Sequence, residues 1–396
     1  MTPPSSTPRA PALWGLALLT FSGTLAMHIF VPALPVAGAD LHASSAAMQM
    51  TVSLYIFGLA LGQLVYGPLS DRFGRRPVLL GALTLYTLAG LAAALAPGVN
   101  ALIAARLFQA LGGCAGLVLA RAIVRDTAAP RLAAQRLALM NLMMTVGPGV
   151  APLLGSAMAT QLGWRSIFYL LVALGVANFL FTWRLLPETH QPATRQPGTS
   201  LARDYWRLLR SPVFLGYAIG GGCATTSIYA FISAAPFLFI EQLHRPAEHV
   251  GLYLAILVTG MSLGNILSSR LMGRFEIRTV MVRANLLSAV AALVFLGVAL
   301  SGHLSLELVL GTVFLFTLGA GIASPATLTE AISVVPHLTG SASGLYGFTQ
   351  MMIGAGSAAL AVVGPNPALA AASVLAGAGV IAQLSFWVAL RARVAG

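Results

Sequence analysis

Apolar residues run through this chain in long unbroken stretches rather than in stripes or alternations. Stretches bounded by Pro, Gly or Arg fall at about 12–34, 46–68, 77–96, 99–122, 133–158 and 163–185. Six more follow at about 212–240, 249–272, 279–300, 305–328, 339–363 and 368–390. Each is close to the ~20 residues that carry a helix across the hydrocarbon core of a bilayer. None shows the period-two alternation of a spanning strand, so helices and not a barrel are predicted. The expectation is an all-α membrane protein of twelve transmembrane helices. Residues 12–185 form a first six-helix bundle and 212–390 a second, joined by a linker at 186–211 and flanked by tails at 1–11 and 391–396.

Composition removes the soluble alternatives. Of 396 residues, 58% are apolar and only 8% charged, against about a quarter charged in a soluble domain. The net charge of +12 comes from 22 basic residues, all arginine, against 10 acidic ones. Nineteen of those arginines fall in the tails, the linker and the loops after runs 2, 4 and 8; Arg165 and Arg245 alone lie on the other side. That asymmetry is topological rather than a nucleic-acid footprint, and it places both termini and the linker in the cytoplasm. A bacterial inner membrane is the expected location. The first run lacks a short core followed by a small-residue cleavage site, so it reads as a retained helix. Cys114 and Cys223 have no CxxC spacing, and no metal site is expected.

The two sets of six carry faint echoes of one another. His28 precedes Pro35 by seven positions in run 1, and Tyr229 precedes Pro236 by seven in run 7. Leu69-Ser70-Asp71-Arg72 follows run 2, and Leu267-Ser268-Ser269-Arg270 follows run 8. Internal duplication of this kind is frequent in secondary transporters.

The strongest local pattern is Gly67-Pro68-Leu69-Ser70-Asp71-Arg72-Phe73-Gly74-Arg75-Arg76-Pro77 between runs 2 and 3. Gly67 and Gly74 are expected to allow a tight turn, with Asp71 against a helix N-terminus and Arg72 and Arg75 holding the loop in the cytoplasm. In this loop the chain resembles the major facilitator superfamily. Arg106-Leu107-Phe108-Gln109-Ala110-Leu111-Gly112 in run 4 is similar to the family's RxxQGxG, with Ala110 for its first Gly. The segment from Gly147 and Pro148 through Pro152 to Gly155 is similar to the fifth helix of the drug:proton antiporters. Phe30-Val31-Pro32-Ala33-Leu34-Pro35 resembles the YLPALP element of the Bcr/CflA group of bicyclomycin and chloramphenicol exporters. Where relatives usually carry an acid two residues before that aromatic, this chain has His28. The resemblance implies the major-facilitator fold, alternating access, and a role for the loop in conformational gating.

Ionisable groups inside a membrane are costly and are functional candidates. His28 and Arg106 each lie about eight residues from the outer end of their runs, roughly 12 Å deep. They are expected to share the central cavity and proton coupling with Gln109, Asn141 and Tyr229. Arg121 and Glu330, near inner helix ends, are candidate inner-gate partners for Asp71 or the start of run 11. No HExxH zinc pair occurs, and with no lysine there is no Walker site, so neither an enzyme nor a cofactor is expected, only a proton gradient as energy source. Two cargo classes stay open: a small apolar drug exported against protons, or an anionic, siderophore-like chelator carried in either direction. The expected partners are that small molecule, protons and the lipid bilayer, with no nucleic acid, and the chain is expected to act as a monomer.

Overall fold

The computed structural model describes residues 13–127, 130–189, 201–335, 338–364 and 366–394, and among them every regular element is helical. The expected tail at 1–11 and part of the linker lie outside the described residues. The first half runs α1 (Leu13–His28), α2 (Leu34–Asp40), α3 (Ser45–Phe73), α4 (Arg75–Ala94), α5 (Val99–Thr127), α6 (Pro130–Gln161) and α7 (Arg165–Leu185). A short helix, α8 (Leu201–Leu209), precedes the second half: α9 (Pro212–Thr226), α10 (Tyr229–Phe237), α11 (Ala247–Met272), α12 (Ile277–Ser301), α13 (Leu306–Ser333), α14 (Thr339–Leu360) and α15 (Pro367–Val394). Among the described residues, ten spans are long and apolar enough to cross a membrane. The long helices α6 and α14 complete twelve crossings. Several helices outrun the apolar stretches that predict them, because a helix continues through its polar last turns into the loop; α3 and α5 end near Phe73 and Thr127.

Two of the crossings are broken, and in the same way. The first is α1, a 3-10 turn at Val31–Ala33 and α2; the seventh is α9, α10 and a π turn at Leu238–Gln242. Before each break, hydroxyls bond back to carbonyls one turn earlier, which loosens and bends a helix. Thr225, Thr226 and Ser227 donate to Gly221, Gly222 and Cys223; in α1, Thr20 and Thr24 donate to Leu16 and Phe21. Prolines at Pro32, Pro35 and Pro236 follow, each lacking an N–H for the ladder.

Helix packing repeats with an offset of six crossings. Helix α3 packs on α5, α4 on α5 and α7, and α1 on α6; in the second half α11 packs on α13, α12 on α13 and α15, and α9 on α14. The halves meet through α3 against α14 and α11 against α6. The repeat exchanges these two contacts, as a two-fold relation between halves requires. The up-and-down order gathers the arginine-bearing loops at one end of the bundle, called here the arginine-rich end.

Candidate functional site

A cavity of about 410 Å³ lies between the two halves. Its walls come from both broken crossings and from α3, α5, α6, α11, α13 and α14. At its deep end the symmetry-related breaks meet: the His28 and Tyr229 rings stand 6.2 Å apart, tilted by 40°. The Tyr229 hydroxyl donates to Met27 Sδ at 3.6 Å. His28 is 8% exposed, and its Nδ1 lies 3.0 Å from the Thr24 carbonyl oxygen. A carbonyl only accepts, so Nδ1 carries the proton and Nε2 is the acceptor of the neutral ring.

The remaining walls are apolar surface set with neutral polar groups. Gln350 Nε2 donates to Thr225 Oγ1 at 2.9 Å and to the Tyr346 hydroxyl at 3.2 Å, while Thr226 donates to the Gln350 carbonyl at 2.7 Å. Thr225, Thr226 and Tyr346 escaped the sequence reading. The hydroxyl run at 225–227, just before the second break, is the signal that marks them. Pro148 and Pro152 line the cavity from α6, and Arg121 lines it from α5.

Two residues expected in the cavity stand elsewhere. Arg106 is 1% exposed and Gln109 fully buried, and neither reaches the cavity wall. The Arg106 guanidinium lies 3.9 Å above the Tyr55 ring, with Phe30 and Phe168 at 5.7 and 5.8 Å, and donates to Gln109 Oε1 at 2.7 Å. Aromatic faces attract a desolvated cation, so the charge is held inside the first half by rings from α3, the first break and α7. Asn141 lies on α6, but its side chain is outside the described ones.

Glycines set how closely helices approach the breaks. A Cβ on Gly155 would overlap the carbonyl oxygen of Ile29, and one on Gly147 would sit 2.8 Å from Thr24 Oγ1, so α6 lies directly on the first crossing. The end of the cavity away from the arginines is sealed where α6 meets α11. Ser156 Oγ donates to the carbonyls of Ala247 and Glu248 at 3.2 and 3.1 Å. Nearer the arginine-rich end the walls include Arg121, Asn265, Ser324 and Ser343. The cavity therefore reaches toward that end.

The loop between α3 and α4 forms a clamp. Arg75 Nη1 bonds Asp71 Oδ1 at 2.5 Å, and its Nε reaches Asp126 Oδ2 at 3.0 Å in the last turn of α5. The backbone N–H groups of Arg75 and Arg76 donate to Glu188 at 3.0 and 3.2 Å, so the segment after α7 caps α4. Gly74 adopts φ +95° at the turn, which glycine alone tolerates readily. Gly67 does not share that role: it lies inside α3, and a Cβ there would meet nothing. Arg72 sits over Phe73 at 5.1 Å. Glu330 sits in the last turn of α13. Arg278 of α12 engages it, Nε to Oε2 at 3.4 Å, in the second-half counterpart of Arg75 and Asp126. Each half thus ties its third crossing to its fourth.

Twelve crossings in two repeated halves, with a cavity between them sealed at one end, define a membrane carrier for small molecules. The chain belongs to the Major Facilitator Superfamily, whose profile matches residues 16–359; it is a multi-pass membrane transporter and not an enzyme. It is 29% identical over 396 residues to the MFS-type transporter YdgK of Bacillus subtilis, covering 99% of this chain and 98% of that one. Against multidrug resistance protein D of Escherichia coli the identity is 30% over 339 residues, 85% and 84% of the two chains. The chloramphenicol resistance protein of Pseudomonas aeruginosa is 30% identical over 334 residues, 82% and 77% of the two chains. Among solved structures, a D-xylose-proton symporter superposes with a TM-score of 0.74 over 95% of this chain and 96% of its own, at 15% identity.

Proposed function

We propose that the chain is a proton-driven efflux antiporter for small, largely apolar drugs, working by alternating access in a bacterial inner membrane. The cavity between the halves carries this reading: it is sealed where α6 meets α11 and extends toward the arginine-rich end, which the positive-inside rule assigns to the cytoplasm. An apolar wall with a few polar groups suits a drug-sized ligand. Names of relatives that confer multidrug and chloramphenicol resistance point the same way. The transporter works as a monomer without a cofactor. His28, the histidine at the deep end of the cavity, carries the coupled proton on Nε2; Tyr229 faces it from α10, and Arg121 on α5 lines the same walls. The clamp at Arg75 steadies one state of the cycle.

The experiment is drug accumulation in cells with and without the protein. Chloramphenicol and bicyclomycin should accumulate several-fold less in expressing cells, and a protonophore should abolish the difference. Equal accumulation of both drugs overturns the reading.

A further inference from the structure

We propose that α8 and the last turns of α15 form a docking surface for anionic phospholipid. The leaflet is the one at the arginine-rich end: guanidinium groups meet the phosphates, and tryptophan and leucine meet the acyl chains. This surface is separate from the cavity and from its cargo.

Helix α8 has two faces. Leu208 is fully buried, and Tyr205 points into the bundle, its hydroxyl 3.6 Å from where a Cβ on Gly344 would lie. These two seat the helix on α9 and α14. The rest of the same turns faces outward. Arg203, Arg207 and Arg210 follow at spacings of four and three, so they share one edge of the helix. Trp206 and Leu209 form the edge beside it, 57% and 43% exposed. Arg207 already has a partner within the protein. The Arg210 guanidinium lies 4.8 Å above the Trp206 ring. Neither Arg203 nor Arg210 forms an ion pair among the described residues, unlike Arg75 and Arg278 at the same end.

Helix α15 carries the same pairing. Its outward face runs through Leu384, Trp387 and Val388, all exposed, to Arg391, whose guanidinium lies 3.8 Å above the Trp387 ring. An exposed apolar face on a spanning helix meets hydrocarbon, and the tryptophan and arginine that end it mark the headgroup level. A Cβ on Gly216 would overlap Ala389 and the Ser385 carbonyl oxygen, so α9 and α15 lie side by side. Arg210, six residues before Gly216, therefore lies within about one to two turns of the depth of Arg391. A free anion would leave Trp206 and Leu209 in water, whereas a lipid sets chains against them beneath its phosphate. Arginines at this level attract anionic headgroups. Stacking on a ring occupies the face of the guanidinium and leaves its in-plane N–H groups for phosphate oxygens.

The purified full chain, stripped of lipid in detergent, tests this by native mass spectrometry with dioleoylphosphatidylglycerol or dioleoylphosphatidylcholine added. Phosphatidylglycerol should bind at least about fivefold tighter. Replacing both Arg203→Gln and Arg210→Gln should lower its affinity at least about tenfold and leave phosphatidylcholine unchanged. Arg270→Gln with Arg274→Gln removes two exposed arginines of the same end outside the patch, and should leave both affinities within about twofold. Brominated phosphatidylglycerol should quench less tryptophan fluorescence in Trp206→Phe than in the wild type. Equal affinity for the two lipids, no loss in the Arg203 and Arg210 pair, an equal loss in the control pair, or an equal quench overturns the proposal. Displacement of phosphatidylglycerol by millimolar inorganic phosphate overturns it too, because the patch would then hold a free anion. The wild-type ratio decides the matter even where a variant fails to fold.

Discussion

Gly251 is the position where one methyl group should change which end of the transporter is open. It lies in the second turn of α11, against α6, at the seal between the halves. A Cβ there would overlap the Pro152 carbonyl oxygen and stand 2.8 Å from Ser156 Cβ, about 0.6 Å short of the 3.4 Å at which ordinary contact begins. Both neighbours belong to a helix of the other half, so the strain is relieved only by parting α6 from α11. Overpacking of this kind costs ~1–3 kcal/mol in a packed site. The state open at that end lacks the contact and escapes the penalty, so Gly251→Ala should raise its population relative to the sealed state by about fivefold to 150-fold. Spin labels at Thr160→Cys and His249→Cys, in a chain whose buried Cys114 and Cys223 are replaced by Ala, report the distance across the seal. The distribution should shift to longer distances in Gly251→Ala, and the transport rate should fall. Gly149→Ala is the control, because a Cβ there meets Val258 of the same helix α11 at an ordinary 3.8 Å. Unchanged distances in Gly251→Ala, or an equal shift in the Gly149 control, would refute the wedge argument.

Three further outcomes follow from the geometry. Arg106→Lys should insert and fold yet transport at least about tenfold more slowly, because an ammonium loses the planar stack on Tyr55 and the bond to Gln109, together worth ~2 kcal/mol; vesicle flux at the wild-type rate contradicts this. Asp126→Asn should leave Arg75 with Asp71 and the Ser70 hydroxyl and slow turnover several-fold while ligand affinity stays within about twofold, since a partly exposed pair contributes ~1 kcal/mol; lost binding with unchanged conformational populations argues against it. His28→Gln should flatten the pH dependence of proton-driven flux between about pH 5.5 and 8, where imidazole titrates, and a retained profile removes His28 from the coupling path.

The sequence by itself determined the helical crossings and the gathering of arginines at one end of the bundle, because an apolar run of fixed length and an excess of arginine are one-dimensional signals. It also paired His28 with Tyr229 as counterparts in the two halves, through prolines at matching distances; the helix breaks beside them came only with the structure, which brings the two rings within 6.2 Å. The Gly74 turn was equally legible, being a local backbone demand. The direction in which a polar side chain inside a crossing points was not. A helix apolar on every side has no stripe to separate a cavity face from a bundle face, so Arg106 and Arg121, on the same helix α5, look alike as candidates. Only packing separates them: three aromatic rings from elsewhere in the first half enclose Arg106, while the inner part of α5 leaves Arg121 on the cavity wall. The partner of Glu330 was hidden for the same reason, since α12 and α13 meet Arg278 to it only when antiparallel helices pack side by side. Contacts between residues far apart in the chain depend on helix rotation and depth, and those are properties of the assembled bundle.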